Sequence, residues 1–245
     1  MKTSEKVKYI SNWILSYANS MPKKAESLVI GISGGIDSSV SSTLSAMTGL
    51  NTIVLSMPIN QIKSQHDLSI KHQEWLVKNF KNVKAHTINL DNLFNSFKTT
   101  LSDFDNEHGL ANSRARLRMA TLYQVASSNN GIVVGTGNKV EDFGVGFYTK
   151  YGDGGVDISP IADCNKTEVW ELGKELNILK EIIEAPPTDG LWDDGRTDEG
   201  QLGLTYVELE EAMNNENSIN RDKYIKIRNA NLHKMDPIPV CKIPK

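Results

Sequence analysis

Residues 28–39 read LVIGISGGIDSS, and within them Asp37 is the residue that needs a chemical reason. Gly34 and Gly35 carry no Cβ to hold an anion off the backbone, and Ser33, Ser38 and Ser39 add hydroxyl donors. Backbone N–H groups left open by such a turn at a helix N-terminus suit a phosphate or pyrophosphate. A carboxylate among them repels phosphate unless a cation lies between, so Asp37 points to magnesium. Gly-Gly beside serines is by itself only a turn. Here Leu28, Val29, Ile30 and Ile32 make an apolar strand before it and a helix-compatible segment follows, giving strand, glycine turn, helix. Neither Gly-x4-Gly-Lys-Ser/Thr nor Gly-x-Gly-x-x-Gly after a strand occurs, which excludes the two commoner nucleotide signatures.

A second set of reactive groups lies in residues 135–157, GTGNKVEDFGVGFYTKYGDGGVD. Glycines, acids, Lys139 and Lys150 crowd there, while Phe143, Val145, Phe147, Tyr148 and Tyr151 are too bulky and apolar for a solvated linker. An ordered loop lining a site is expected. One carboxylate rarely holds magnesium alone, and Glu141 and Asp142 are both candidates for the second. Arg114 and Arg118, four apart, share a helix face while Arg116 points elsewhere, so a guanidinium can turn inward to a carboxylate or phosphate. Lys166 stands near the start of a helix, against the macrodipole, a placement that an anionic ligand would explain. Residues 186–203, rich in Pro, Gly and Asp, read as a long loop in which Trp192 suggests closure over a ligand.

The elements that must position these groups alternate. Val7, Ile10, Ile14, Tyr17 and Met21 give a first helix over residues 4–20, closed by Pro22. Strands are expected at 52–57, 83–88 and 131–134. Helices are expected from an N-cap at Ser64 to residue 80, around 93–101, and over 110–129, 166–177, 205–213 and 218–232. Alternation of this kind predicts an α/β fold, a doubly wound parallel sheet with flanking helices and ligands at the carboxyl ends of its strands.

A chain of 245 residues reads as a single domain over 1–245. Its net charge of −3, with acids and bases scattered, offers no basic tract for nucleic acid. Cys164 and Cys241 form no Cys-x-x-Cys pair and the five histidines lack metal-ligand spacing, so nothing calls for zinc. Reduced thiols suit the cytoplasm. Lys2, Glu5, Lys6 and Lys8 interrupt any apolar run at the start, and no stretch of membrane-spanning length follows; a soluble, unprocessed protein without membrane contact is expected.

The SGGIDS string resembles the pyrophosphate loop of the N-type ATP pyrophosphatases, which split ATP between its α- and β-phosphates. Taken in order, SGGIDS, NSRARLRM and GFYTKYGDGGVDISP resemble the ammonia-dependent NAD synthetases along nearly the whole chain. That resemblance implies a five-stranded parallel sheet, a homodimer with active sites near the interface, and amidation of deamido-NAD through an adenylate with release of AMP and pyrophosphate. It assigns ATP to Gly31, Ile32, Ser33, Gly34, Gly35, Ile36, Asp37 and Ser38 and to Thr136, Lys166 and Thr188. Magnesium falls on Asp37 and Glu141, and deamido-NAD on Arg116, Lys150, Asp157, His233 and Lys234. Asp37, Glu141 and Lys150 are the implied catalytic groups. This chain has Gly137, Asn138, Lys139 and Val140 where bacterial relatives carry Asp-His-Ala-Ala, which leaves Glu141 and Asp142 open as the metal acid.

Adenylylation removes the charge that makes a carboxylate a poor electrophile, and ammonia then needs no protein nucleophile. With no glutaminase region in the sequence, free ammonia is the expected nitrogen source. Other readings are a GMP-synthetase-like or tRNA-modifying relative of the loop, or a nucleotide-binding protein without turnover.

Overall fold

The computed structural model describes residues 1–61, 63–188, 190–191 and 196–244, with backbone alone for 63–65. The chain runs α1 (Thr3–Ser20), β1 (Ser27–Gly31), α2 (Ile36–Ala46), β2 (Asn51–Ser56), α3 (Lys63–Asn79) and β3 (Val83–Thr87). It continues through α4 (Asp91–Thr100), α5 (Glu107–Ser128) and β4 (Gly131–Val133) to a π-helical turn, Lys139–Val145. Helices α6 (Lys166–Glu175), α7 (Lys180–Ile183), α8 (Asp198–Leu202), α9 (Tyr206–Asn214) and α10 (Arg221–Met235) follow.

The four described strands are parallel, in the order β3-β2-β1-β4. Side-chain alternation along β1 explains why both faces are covered. Leu28 and Ile30 join a core with Ile10 and Ile14 of α1, Val40 and Leu44 of α2, and Val169 and Leu172 of α6. Val29 faces the other way, toward Phe94 of α4 and Met119 and Leu122 of α5. A third, smaller core joins Val140 and Val145 of the π turn to Leu202, Tyr206, Leu209 and Tyr224.

The fifth strand is reduced to a single parallel bridge, Val134 with Ile158. The Asp157 carboxylate itself accepts the Val133 N–H at 2.7 Å, where a strand carbonyl would otherwise lie. Pro160, two residues after Ile158, has no N–H to extend the ladder. Two other expectations shift. The helix begins at Lys63, so Ser64 lies within it, and the loop 186–203 is cut short by α8; the Trp192 reading falls outside the described residues.

Because β2 and β3 lie on one side of β1 and β4 on the other, the winding reverses between β1 and β4. At such a switch point the loops leaving adjacent strand ends part and open a crevice. The glycine turn leaves β1 there, and Thr136 and the π turn leave β4.

Candidate active site

Gly34 has φ +91°, a conformation that side-chain-bearing residues rarely adopt, and it turns the chain from β1 into α2. Two amides of the turn are occupied by its own serines: Ser33 N–H donates to Ser38 Oγ at 3.3 Å and Gly35 N–H to Ser33 Oγ at 3.2 Å. Gly35, the N-cap of α2, supplies no side-chain cap. The helix therefore presents open N–H groups to the crevice, as an anion site requires.

Asp37, in the first turn of α2, faces the other strand end. Asn138 Nδ2 donates to its Oδ1 at 3.0 Å, and Lys166 Nζ donates to its Oδ2 at 2.5 Å. Lys166 also donates to Glu141 Oε1 at 2.9 Å, so one ammonium joins both carboxylates. Asn138 is the N-cap of the π turn, its Oδ1 accepting from the N–H groups of Val140 and Glu141, both at 3.1 Å. One side chain thus shapes the turn carrying Glu141 and orients Asp37. Lys166 opens α6 from a capping box between Asn165 and Glu168, and only 1 % of it is exposed.

The trio carries one positive and two negative charges. Burial holds the Asp37 carboxyl above its ordinary value; the Lys166 charge opposes this, and Glu141 adds to it. Burial also resists ionisation of Glu141, but the Lys166 charge and donors from Tyr206, Lys166 and Asn138 outweigh it and keep that carboxyl low. Lys166 keeps its proton well above the ordinary lysine range: desolvation is overcome by the two carboxylates. Asp142 lies apart from Lys166, its carboxylate folded over Gly137, where a Cβ would lie 2.0 Å from Oδ2. Burial, Glu141 and Asp153 push its carboxyl up to about 8.

These groups line a cavity of about 590 Å³. The expected ATP residues, 31–38 with Thr136, Lys166 and Thr188, are all on its wall, together with Glu141. Of the three arginines, Arg118 reaches the cavity and donates to Met57 O at 3.0 Å. Arg114 stacks on Phe94 and donates to Leu191 O at 2.5 Å, tying α5 to the loop after α7. Among the described lining residues there is no cysteine or histidine, so the wall offers no Cys–His pair.

The expected deamido-NAD residues form a separate group beside the cavity. Arg116 Nε donates to Lys150 O at 3.2 Å, and Lys150 Nζ to His233 O at 3.2 Å. Lys234 Nζ donates to Tyr148 O at 2.9 Å. Asp157 is engaged by Tyr123 Oη at 3.0 Å as well as by Val133 N–H. Asn138 and Tyr206 are the site residues that sequence reasoning missed. An asparagine three residues before an acid carries an N-cap signal, whereas nothing at Tyr206 marks its phenol, which donates to Glu141 Oε1 at 2.5 Å.

An open phosphate-sized turn, two carboxylates and a cation between them at one switch point suit a nucleoside triphosphate with a divalent metal. The family model described as NAD synthase matches residues 6–239. The chain belongs to the NAD synthase family. An NH(3)-dependent NAD(+) synthetase of Methanococcoides burtonii is 42 % identical over 193 residues, 77 % of this chain and 71 % of the relative. The structure of NMN synthetase from Francisella tularensis superposes with a TM-score of 0.90 at 32 % identity, over 99 % of this chain and 100 % of that one. The NH3-dependent NAD synthetase of Campylobacter jejuni, at 24 % identity and a TM-score of 0.79 over 99 % of this chain and 100 % of that one, shares the NAD synthase fold.

Proposed function

We infer that this chain is an ammonia-dependent NAD synthetase, a ligase that forms a C–N bond on the nicotinate carboxylate of deamido-NAD at the cost of ATP. The observation that carries the reading is the shared contact of Lys166 with Asp37 and Glu141 at the mouth of the glycine turn. A site that already holds a cation between two carboxylates fits Mg2+. Asp37 and Glu141 would hold the ion, which screens phosphate charge and stabilises the departing pyrophosphate. The open amides of the turn bind the β- and γ-phosphates, and Lys166 neutralises charge beside them. In-line attack by the carboxylate oxygen on the α-phosphorus forms the adenylate. Ammonia then displaces AMP, and no protein nucleophile takes part.

The reading places deamido-NAD along Arg116, Lys150, Asp157, His233 and Lys234. Because that group lies beside the cavity, a second subunit of a homodimer would complete it. Two free cysteines accord with a reducing cytoplasm, and no helix among the described residues is long and apolar enough to cross a membrane.

The likeness to a structure named as an NMN synthetase favours a second reading, in which the amidated substrate is the mononucleotide bearing the same carboxylate. Purified protein with Mg-ATP and ammonium, offered deamido-NAD and nicotinate mononucleotide separately, separates the two. Pyrophosphate and NAD from the dinucleotide are expected. Turnover of the mononucleotide alone would replace the first reading by the second, and turnover of neither overturns both.

A further inference from the structure

We propose that Tyr206 is a positioning residue that holds Glu141 in its ligating orientation once the Lys166 ammonium has been displaced from between the two carboxylates. The proposal rests on the reading of Asp37 and Glu141 as metal ligands. The Tyr206 hydroxyl and Lys166 Nζ both donate to the same oxygen, Glu141 Oε1, at 2.5 and 2.9 Å. Both of these close donors fall on Oε1, with Asn138 the further donor toward the carboxylate, so Oε2 is the oxygen more open to a cation. Were Asp37 and Glu141 to hold a divalent ion, the Lys166 ammonium that joins them would be repelled, because two such charges close together in a buried site are mutually unfavourable. When Lys166 leaves, one of the two donors to Oε1 goes with it. The phenol stays.

Its persistence follows from how it is anchored. Tyr206 is fully buried at the start of α9, packed among Leu209, Ala212 and Tyr224. Its ring meets Trp170 edge-on, with centroids 6.0 Å apart. Its N–H donates to Glu199 Oε1 at 3.0 Å, and its hydroxyl also lies 3.3 Å from Asp198 Oδ2. A tyrosine hydroxyl carries its proton at neutral pH and is therefore available as a donor. None of these anchors depends on Lys166, whose Nζ merely faces the ring 4.7 Å from its centroid.

The test is Mn2+ binding, followed by electron paramagnetic resonance, to protein saturated with α,β-methylene-ATP, which is not split between its α- and β-phosphates. Tyr206→Phe keeps the ring and its packing and removes only the hydroxyl. It is expected to weaken Mn2+ binding roughly tenfold, with the thermal midpoint of the metal-free protein little changed, and to add nothing in a Glu141→Gln background. Unchanged Mn2+ affinity, or an equal loss in the Glu141→Gln background, overturns the proposal. Glu141→Gln alone reports on the underlying reading: wild-type Mn2+ affinity in that variant removes Glu141 from the metal site and the proposal with it. In the unaltered protein, the hydrogen-bonded Tyr206 hydroxyl proton is expected to stay downfield in the NMR spectrum with Mg2+ and analogue bound. Its loss on loading also overturns the proposal.

Discussion

Lys166 Nζ lies 2.5 Å from Asp37 Oδ2, a contact between residues 129 positions apart in sequence. With 2.9 Å to Glu141 Oε1 on its other side, this ammonium balances two carboxylates that would otherwise face each other in a largely buried site. Removing one partner of a buried ion pair leaves uncompensated charge, which costs more than the pair itself contributes. Lys166→Met is therefore expected to destabilise the metal-free protein by about 3 kcal/mol. Millimolar Mg2+ should restore part of that loss in the variant and do little for the wild type. Thermal unfolding with EDTA and with Mg2+ checks it; equal metal response in both proteins contradicts it.

The metal pair makes a sharper prediction about activity. Asp37→Asn and Glu141→Gln are each expected to lower turnover by at least roughly a hundredfold, about 2.7 kcal/mol of transition-state stabilisation. Asp142→Asn, whose carboxyl folds over Gly137 and not toward Lys166, is expected to matter far less. Steady-state assays across a magnesium titration, with folding followed by circular dichroism, decide it. A dead Asp142→Asn beside an active Glu141→Gln would reverse the assignment.

His72 sets a pH dependence of stability away from the cavity. It is fully buried on α3, Ser42 Oγ lies 3.0 Å from its Nε2, and its Nδ1 has no partner among the described residues. Burial lowers its pKa to about 4 from an ordinary 6.5, so the folded protein keeps it neutral while the unfolded chain takes up a proton. Its contribution is thus fully present above pH 6.5 and is lost as pH falls toward 4, by about 3 kcal/mol across that window. Urea titrations between pH 4 and 7 are expected to show this slope and to lose it in His72→Gln. A slope that survives the substitution assigns it to other groups.

Closure over the nucleotide is the fourth prediction. Pro187 and Thr188 line the cavity, and Arg114 holds Leu191 O. Amide exchange at residues 188, 190–191 and 196–203 is expected to slow when ATP and deamido-NAD are added. Exchange that does not change across the segment would argue against a lid. Arg114→Ala should raise the KM for ATP several-fold, whereas an unaltered KM would leave Arg114 a purely structural role.

Local chemistry carries far in this chain. The α/β class, the strand-turn-helix at SGGIDS and the need for a cation beside Asp37 all follow from neighbouring residues, because apolar periodicity and glycine placement act over a few positions. Glu141 and Asp142 remained equivalent at that level, since both are acids in one glycine-rich stretch. Tertiary structure separates them: Asn138 caps a π turn that no periodicity announces, and the turn aims Glu141 at Lys166 while Asp142 covers Gly137. The fifth strand failed to form for a similar reason, because the Asp157 side chain captured a backbone N–H that alternation had reserved for a ladder. Lys166 was legible only as a cation oddly placed at a helix start, and Tyr206 was not legible at all. Their roles arise where α6 packs on α2 and α9 packs on the π turn that follows β4. A buried charge or phenol takes its meaning from partners brought to it across the fold, and no local pattern encodes those partners.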